Sequence, residues 1–364
     1  MRIAVVNLTS GGLSGGYRKY LSRLMPLLAN DPRITALSVF VPEGAAAAVA
    51  AMNSEIDVRT WPRQPVGARF STLVRDVVAC APDVVFVPTA RHAEFPNIPV
   101  VVMVRNMEPL TVPFGGNTWA EGLKNVARAW EARRACRRAA RVIAVSGHVR
   151  DFIVSRWRID RDRVGTVYHG VDDPGPAAPV AAAPVSRTLF TAGSIRPARG
   201  VEDMIRALPL VDADVRLVIA GQVDAGCAGY AEQLRRLCGE LGVTSRVTFA
   251  GQLGSEDMAR AFRRCAAFVM TSRAEACPNT ALEAMSYGCA IVSVDRAPMP
   301  EFLGEAALYY PIAEVRALAE HLRAVLTNTA EHDRLARAAR RRAAPFTWEA
   351  TRDRTIQELE RARS

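Results

Sequence analysis

Lysine is almost absent from this chain. Of 47 basic residues only Lys19 and Lys124 are lysines, so the formal net charge of +10 is an arginine charge. Histidine is scarce as well, with five in all, and no His/Cys cluster has the spacing of metal ligands, so no metal site is expected. The seven cysteines, Cys80, Cys136, Cys227, Cys238, Cys265, Cys277 and Cys289, are scattered, odd in number and never in a C-x-x-C pair. Reduced, mostly buried thiols in a cytoplasmic protein are the expectation. No apolar run reaches the roughly 18 residues of a spanning helix. Residues 1–8 read as a buried strand and lack the basic region, long apolar run and cleavage site of a secretion signal.

What is present is ordinary globular material. The 364 residues are 49% apolar and 23% charged, and at about 100–200 residues per domain they suggest two domains. The basic excess admits three partners: nucleic acid, an anionic membrane surface, or phosphate-bearing small molecules. Nucleic acid is disfavoured, because no aromatic-basic interleaving and no nucleic-acid-binding motif is found.

Short apolar strands alternate with helical patterns throughout. Strands are expected at 2–7, 34–41, 83–89, 100–105 and 141–146, with helices at 17–30, 68–80, 119–139 and 149–157 between them. A proline-rich break follows at 171–186, and 173–186 is read as a linker. The alternation then restarts, with strands at 188–193, 215–221, 247–251, 267–271 and 290–294 and helices at 201–210, 230–241, 256–264 and 279–287. Continuous apolar strands separated by helices imply parallel sheets covered on both faces. The expected fold class is therefore α/β: two Rossmann-like, doubly wound domains, 1–172 and 187–345, with ligand sites at the carboxyl ends of their strands.

Three strand-to-helix loops can carry chemistry. The first runs Thr9-Ser10-Gly11-Gly12-Leu13-Ser14-Gly15-Gly16-Tyr17. Its bare backbone N–H groups and following helix suit an anion such as a diphosphate, although a plain tight turn explains it as well. The second, Gly193 to Gly200, carries Arg196 and Arg199. These can clamp phosphates through charge-assisted bonds, or simply be solvated. The third runs from Ser272 to Met285 and holds Glu275 and Glu283, eight residues apart. Between them a helix opens at Asn279, Thr280 and Ala281, whose start can hold a phosphate. Glu283 could then grip ribose hydroxyls and Glu275 sugar hydroxyls.

The string from Glu275 to Glu283, continued by Ala284-Met285-Ser286-Tyr287-Gly288, resembles the E-x7-E signature of the family 4 retaining glycosyltransferases. Pro300-Glu301, Val145-Ser146 and Tyr168-His169-Gly170-Val171-Asp172 resemble further landmarks of that family. The resemblance implies a GT-B fold, with two domains facing a central cleft and a last helix (346–364) packed back on the first. It implies a UDP- or GDP-linked sugar donor, a glycan or lipid-linked acceptor, retention of configuration and no metal or other cofactor. By position, Gly15 and Gly16 would approach the donor diphosphate, with Asn279, Thr280, Ala281 and Glu283 completing the donor site. Arg196 and Arg199 would neutralise the diphosphate, and Glu275 would hold the sugar. Val104-Arg105-Asn106-Met107-Glu108-Pro109 resembles an Asn-Met-x-Pro variant in polysaccharide and lipopolysaccharide transferases. That makes Asn106, with Arg105, an acceptor-side or sugar-side candidate beside the catalytic candidates Glu275, Arg196 and Arg199.

Two departures from the pattern stand out. Ser194 occupies a position usually held by arginine, which Arg196 would replace, and Arg199 one usually held by lysine. A catalytically altered homologue and a sugar-nucleotide-modifying enzyme therefore remain as alternatives. A glycan phosphorylase would want a pyridoxal lysine, and the chain has only two lysines.

The helix at 119–139 carries Leu123, Val126, Ala127 and Trp130 at helical spacing, which reads as a core-facing stripe. Arg133, Arg134, Arg137, Arg138 and Arg141 overlap that face, unlike a clean amphipathic membrane helix. They also suit the helix dipole. Peripheral contact with an anionic membrane at the inner surface stays open. A second basic run, 337–342, reads as a solvated helix face.

Overall fold

The computed structural model describes residues 1–9, 15–50, 56–61, 66–112, 114–115, 119–175, 187–224 and 226–363. The chain divides into two compact units. One comprises Met1–Met107, Val126–Gly170 and Phe346–Ser364; the other comprises Glu108–Asn125 and Val171–Pro345. The segment Glu108–Asn125 thus groups with the second unit, although the sequence reading drew 1–172 as one domain. Most of the expected linker, 176–186, lies outside the described residues.

The first unit is built on a parallel sheet of β1 (Arg2–Val6), β2 (Ala36–Pro42), β3 (Asp57–Trp61), β4 (Val84–Val87), β5 (Val100–Val104), β6 (Arg141–Ala144) and β7 (Val164–Thr166). Their order is β3-β2-β1-β4-β5-β6-β7, and Ile3 pairs with Leu37 on one side and Val84 on the other. The second unit holds β8 (Thr188–Ala192), β9 (Arg216–Ala220), β10 (Val247–Gly251), β11 (Ala267–Met270), β12 (Ile291–Val294) and β13 (Ala307–Tyr310), in the order β10-β9-β8-β11-β12-β13, again parallel. Central strands such as β4 and β11 are buried at every position, as sheets covered on both faces require. In each sheet the winding reverses beside the first strand, between β1 and β4 and between β8 and β11. The crevice above such a reversal is where doubly wound sheets bind ligands.

The C-terminal helix Trp348–Arg361 belongs to the first unit. The Thr347 side chain caps it, accepting from the Ala350 N–H at 3.1 Å. The Thr351 hydroxyl donates to the Tyr168 carbonyl at 2.9 Å. Gly170 permits the close approach: a Cβ there would lie 2.4 Å from the Trp348 nitrogen. At the other edge Asp31, which is 5% exposed, accepts from the Arg33 guanidinium at 2.7 and 2.8 Å and pairs with Arg352 of that helix at 3.3 Å. The hydrogen bonds from Arg33 hold the Asp31 carboxyl at about 2, below its ordinary 3.8. A carboxylate depressed in the folded state adds stability that is complete above its unfolded value and is lost as pH falls toward the folded one. Thermal melts between pH 4 and pH 2 should therefore show Asp31→Asn losing less stability than the parent chain. Parallel curves would remove Asp31 from the acid response.

Three readings of the sequence are corrected here. The first helix begins at Gly15, not near Tyr17. The helix Trp119–Arg138 has the expected period but the opposite facing: Leu123, Val126 and Trp130 are exposed, as is Ala127. Its buried arc is instead made of small residues, Ala132, Ala135, Cys136 and Ala139. The bulky apolar arc is the one left outside. Lastly, 337–342 is more than a solvated face. Arg340 donates to the Tyr287 carbonyl at 2.9 Å, and Arg342 donates to the Phe302 and Glu301 carbonyls at 2.9 and 2.6 Å, capping the ends of neighbouring helices. All seven cysteines are free thiols, and four of them are buried.

Candidate active site

In the second unit the reversal point brings two loops side by side. β8 ends at Ala192 and turns through Gly193 (φ +145°) to Gly200 (φ +60°). The adjacent β11 ends at Met270 and leads through 271–278 to the helix Asn279–Tyr287. Gly200 sits so close to the second loop that a Cβ would lie 2.6 Å from the Thr271 carbonyl oxygen. The Thr271 hydroxyl in turn donates to the Arg199 carbonyl at 2.6 Å.

This stitching aims side chains across the loops. The Arg199 guanidinium donates to the Ser272 hydroxyl at 3.1 Å and forms an ion pair with Glu275. The two side chains are 19% and 11% exposed, so the pair is largely removed from water. Arg273 points to different partners, pairing with Glu202 at 2.7 Å and Asp203 at 3.4 Å, while the Tyr230 hydroxyl donates to Glu202. Burial pushes the Asp203 carboxyl up against the pull of Arg273. Arg196 pairs with Glu108 at 2.9 Å and Asp224 at 3.5 Å. Its charge is thus countered by carboxylates within the unit. Among the described residues, the buried Nε–H groups of Arg196, Arg199 and Arg273 have no hydrogen-bond partner.

The helix Asn279–Tyr287 starts after Pro278 without a side-chain cap. The Asn279 N–H donates to the Cys277 carbonyl and the Ala281 N–H to the Pro278 carbonyl, both at 2.9 Å. Of the two main-chain donors expected there, Asn279 and Thr280, the first is therefore engaged within the turn itself. Thr280 and Glu283 are half-buried, and Ala281 is fully buried.

The remaining candidates lie in the first unit. Asn7, 1% exposed at the end of β1, accepts from the Thr9 N–H at 3.0 Å and from its hydroxyl at 2.8 Å, an Asx turn that launches the glycine loop. Residues 10–14 of that loop lie outside the described residues. Gly15 and Gly16 open the helix, both exposed, with no heavy atom within 4 Å of a Cβ built on Gly15. The Arg105 guanidinium stacks 4.4 Å above the Tyr17 ring and 5.4 Å from that of Tyr20. Burial pushes both phenols up. Asn106, next along the chain, is exposed.

The structure therefore joins Arg199 to Glu275 directly and sets Asn279, Thr280, Ala281 and Glu283 on the helix after the same loop. It places Gly15, Gly16 and Asn106 in the first unit and Arg196 in a separate carboxylate pair. Sequence reasoning missed Glu108 and Asp224 as partners of Arg196. The string around Asn106 drew attention to that stretch, but not to the glutamate two residues on.

Comparison with known proteins now adds to this geometry. Residues 16–173 match the model of Glycosyltransferase Family 4, and residues 180–342 that of Glycosyl transferases group 1. The D-inositol 3-phosphate glycosyltransferase of Mycolicibacterium gilvum is 30% identical over 225 residues, 59% of this chain and 50% of that protein. The enzyme of the same name from Mycobacterium tuberculosis is 27% identical over 223 residues, 58% of this chain and 46% of its own. The chain thus spans about half the length of the curated relatives it matches. Among solved structures, HepE of Anabaena in complex with UDP aligns over 99% of this chain and 100% of its own, with a TM-score of 0.78 at 19% identity. WaaG, a glycosyltransferase involved in lipopolysaccharide biosynthesis, aligns over 98% and 99% with a TM-score of 0.69 at 14% identity. At these identities the likeness is one of fold, and the two parallel-sheet α/β units are those of the GT-B fold. Between them the two family models take in most of the chain, which carries a Glycosyltransferase Family 4 domain followed by a Glycosyl transferases group 1 domain.

Proposed function

We propose that the chain transfers a sugar from a nucleoside diphosphate donor to a hydroxyl of a glycan or lipid-linked acceptor, with retention of configuration and without a metal. The observation that carries this reading is the Arg199–Glu275 pair, held where the β8 and β11 loops meet beside the start of the helix Asn279–Tyr287. Support comes from the structural neighbour HepE, which is described in complex with UDP and with UDP-glucose. The curated relatives are named glycosyltransferases.

In this reading Arg199 offers positive charge to the leaving diphosphate, and Arg196 adds to it from its own carboxylate pair. Fixed donors of this kind stabilise charge as it develops without reorganising. Glu275 orients the guanidinium and accepts from sugar hydroxyls, and Glu283 grips the ribose. Gly15 and Gly16 give the diphosphate a bare backbone to approach, and Asn106 faces the acceptor side. The acceptor oxygen attacks the anomeric carbon as the bond to the phosphate oxygen breaks, and the departing phosphate takes the proton.

Calorimetric titration with UDP and with GDP, in the presence of a chelator, tests the donor half. One nucleotide should bind, and Glu283→Ala should weaken it by roughly 10- to 100-fold, the size expected for losing hydrogen bonds to a charged group. Binding of neither nucleotide would overturn the reading and favour a catalytically altered homologue. Binding that needs a divalent cation would overturn its metal-free part.

A further inference from the structure

We propose that Arg273 is a positioning residue for sugar transfer, holding the loop that carries Ser272 and Glu275 in register with Arg199. It rests on the donor reading above and adds a residue whose side chain bonds to neither Arg199 nor Glu275.

The β8 and β11 loops exchange arginines. Arg199, on the β8 loop, reaches Ser272 and Glu275 on the β11 loop. Arg273, on the β11 loop, reaches back to the first turn of the helix Val201–Ala207, which follows the β8 loop. There it pairs with Glu202 at 2.7 Å and with Asp203 at 3.4 Å. Main-chain bonds run the same two ways. The Arg273 N–H donates to the Ala198 carbonyl at 2.8 Å, and the Thr271 hydroxyl donates to the Arg199 carbonyl at 2.6 Å. Arg273 thus sits between Ser272 and Glu275, the two residues that hold Arg199, and is itself tied to the other side of the β8 loop.

Its carboxylate partners are firmly seated. The Asp203 side chain is 2% exposed and that of Glu202 16%. Glu202 also accepts from the Tyr230 hydroxyl, on the helix Ala228–Glu240. Tyr310, at the end of β13, is fully buried, and burial with the Asp203 charge nearby pushes its phenol up. The network therefore joins the β11 loop to two helices and the end of an edge strand.

This arrangement is a poor choice for stability alone. One guanidinium faces two nearly buried carboxylates. One Asp203 carboxylate oxygen, the Arg273 Nε–H and the Tyr310 hydroxyl are buried and make no hydrogen bond among the described residues. Each such group costs stability, and buried ion pairs can often be replaced by apolar residues without loss. What charge-assisted bonds supply instead is geometric definition. Here they fix where the loop between Ser272 and Glu275 lies, and so where the Arg199 charge stands.

Steady-state kinetics test the role. An error of about 1 Å in placing a reacting or stabilising group costs on the order of 100-fold. Arg273→Gln should therefore lower kcat by about 10- to 100-fold, with the donor KM moving less than about threefold because uniform binding is retained. Arg273→Lys should recover most of that loss, since a single nitrogen of Arg273 meets both carboxylates and an ammonium can do the same. Glu202→Gln/Asp203→Asn approaches the network from its other side and should lower kcat in the same way. In an Arg199→Ala background, Arg273→Gln should cost almost nothing further, because its effect runs through Arg199.

Hydrogen exchange of the main chain across 271–278 supplies a readout independent of activity. It should quicken in Arg273→Gln and stay unchanged in the control Arg235→Gln, whose side chain is exposed on the helix Ala228–Glu240. Parental kcat in Arg273→Gln, a loss confined to KM, or full additivity with Arg199→Ala would each overturn the proposal. Unchanged exchange at 271–278 in a chain that binds nucleotide and transfers sugar would also overturn it, leaving the donor reading intact. Faster exchange in a chain whose parent binds neither UDP nor GDP would sink the donor reading instead, and with it the catalytic role of a clamp that still holds the loop.

Discussion

Replacing Arg199 by alanine is expected to lower kcat/KM for sugar transfer by about 100- to 1,000-fold, the usual loss on removing one preorganised charge-stabilising donor. The guanidinium is held from three directions. It donates to Ser272, pairs with Glu275, and lies against the β8 loop, where a Cβ on Gly193 would come within 2.8 Å of its central carbon. The loop avoids that collision because Gly193, at φ +145°, adopts a backbone conformation suited to glycine. The charge is therefore fixed in place before any substrate binds, which is the condition under which it favours a transition state over a ground state. Alanine would also leave the 11%-exposed Glu275 carboxylate without its partner. Arg199→Lys should lose less, since it keeps the charge but gives up the fork that reaches Ser272 and Glu275 together. Because the two side chains act as one unit, Arg199→Ala combined with Glu275→Gln should cost less than the two single losses added. Steady-state kinetics on the four proteins give the answer. Wild-type kcat/KM in Arg199→Ala would falsify the assigned role.

The physical reason that some features were legible and others were not lies in the kind of pattern each leaves. Strands buried on both faces, such as β4, β5, β11 and β12, write continuous apolar runs and were readable. The edge strands β3, β7 and β13 were not. β3 is mostly exposed, β7 has three residues with a glycine in the middle, and neither leaves a clear period. The E-x7-E string located Glu275 and Glu283, and the second glycine loop located Arg199. Their pairing could not be read from them, because it depends on β8 and β11 being neighbours, 76 positions apart along the chain at the contact itself. Glu108 was hidden for the same reason. The helix Trp119–Arg138 shows a different failure. Periodicity reports that two faces differ, but a face of small residues and a face of bulky apolar residues can each be the buried one. Here the buried face is the one with the alanines.

The other large effect is expected at Glu358, where alanine should destabilise the first unit by about 3–5 kcal/mol, the cost of breaking a buried ion pair from one side. Glu358 is 4% exposed overall, and one carboxylate oxygen accepts from Arg141 at 2.7 Å at the start of β6. The other accepts from Arg361 at 3.0 Å. The Arg141 side chain is itself only 13% exposed, so it would be left as a nearly buried cation without this carboxylate partner. β7 makes room for the arrangement through Gly165, where a Cβ would lie 2.2 Å from the Glu358 carboxyl carbon. Helix, edge strand and arginine are thus fitted to one carboxylate. At roughly 2–4 °C per kcal/mol for a unit of this size, Glu358→Ala should lower the melting temperature of the first unit by about 10 °C. Glu358→Gln, which keeps the volume and an acceptor oxygen, should lose clearly less. Gly165→Ala should approach the alanine variant by pushing the carboxylate off Arg141. A melt of Glu358→Ala within a degree or two of the parent would mean that Arg141 finds solvent when its partner is removed, and that the C-terminal helix is held by its apolar contacts and the Thr351 and Asp31 anchors alone.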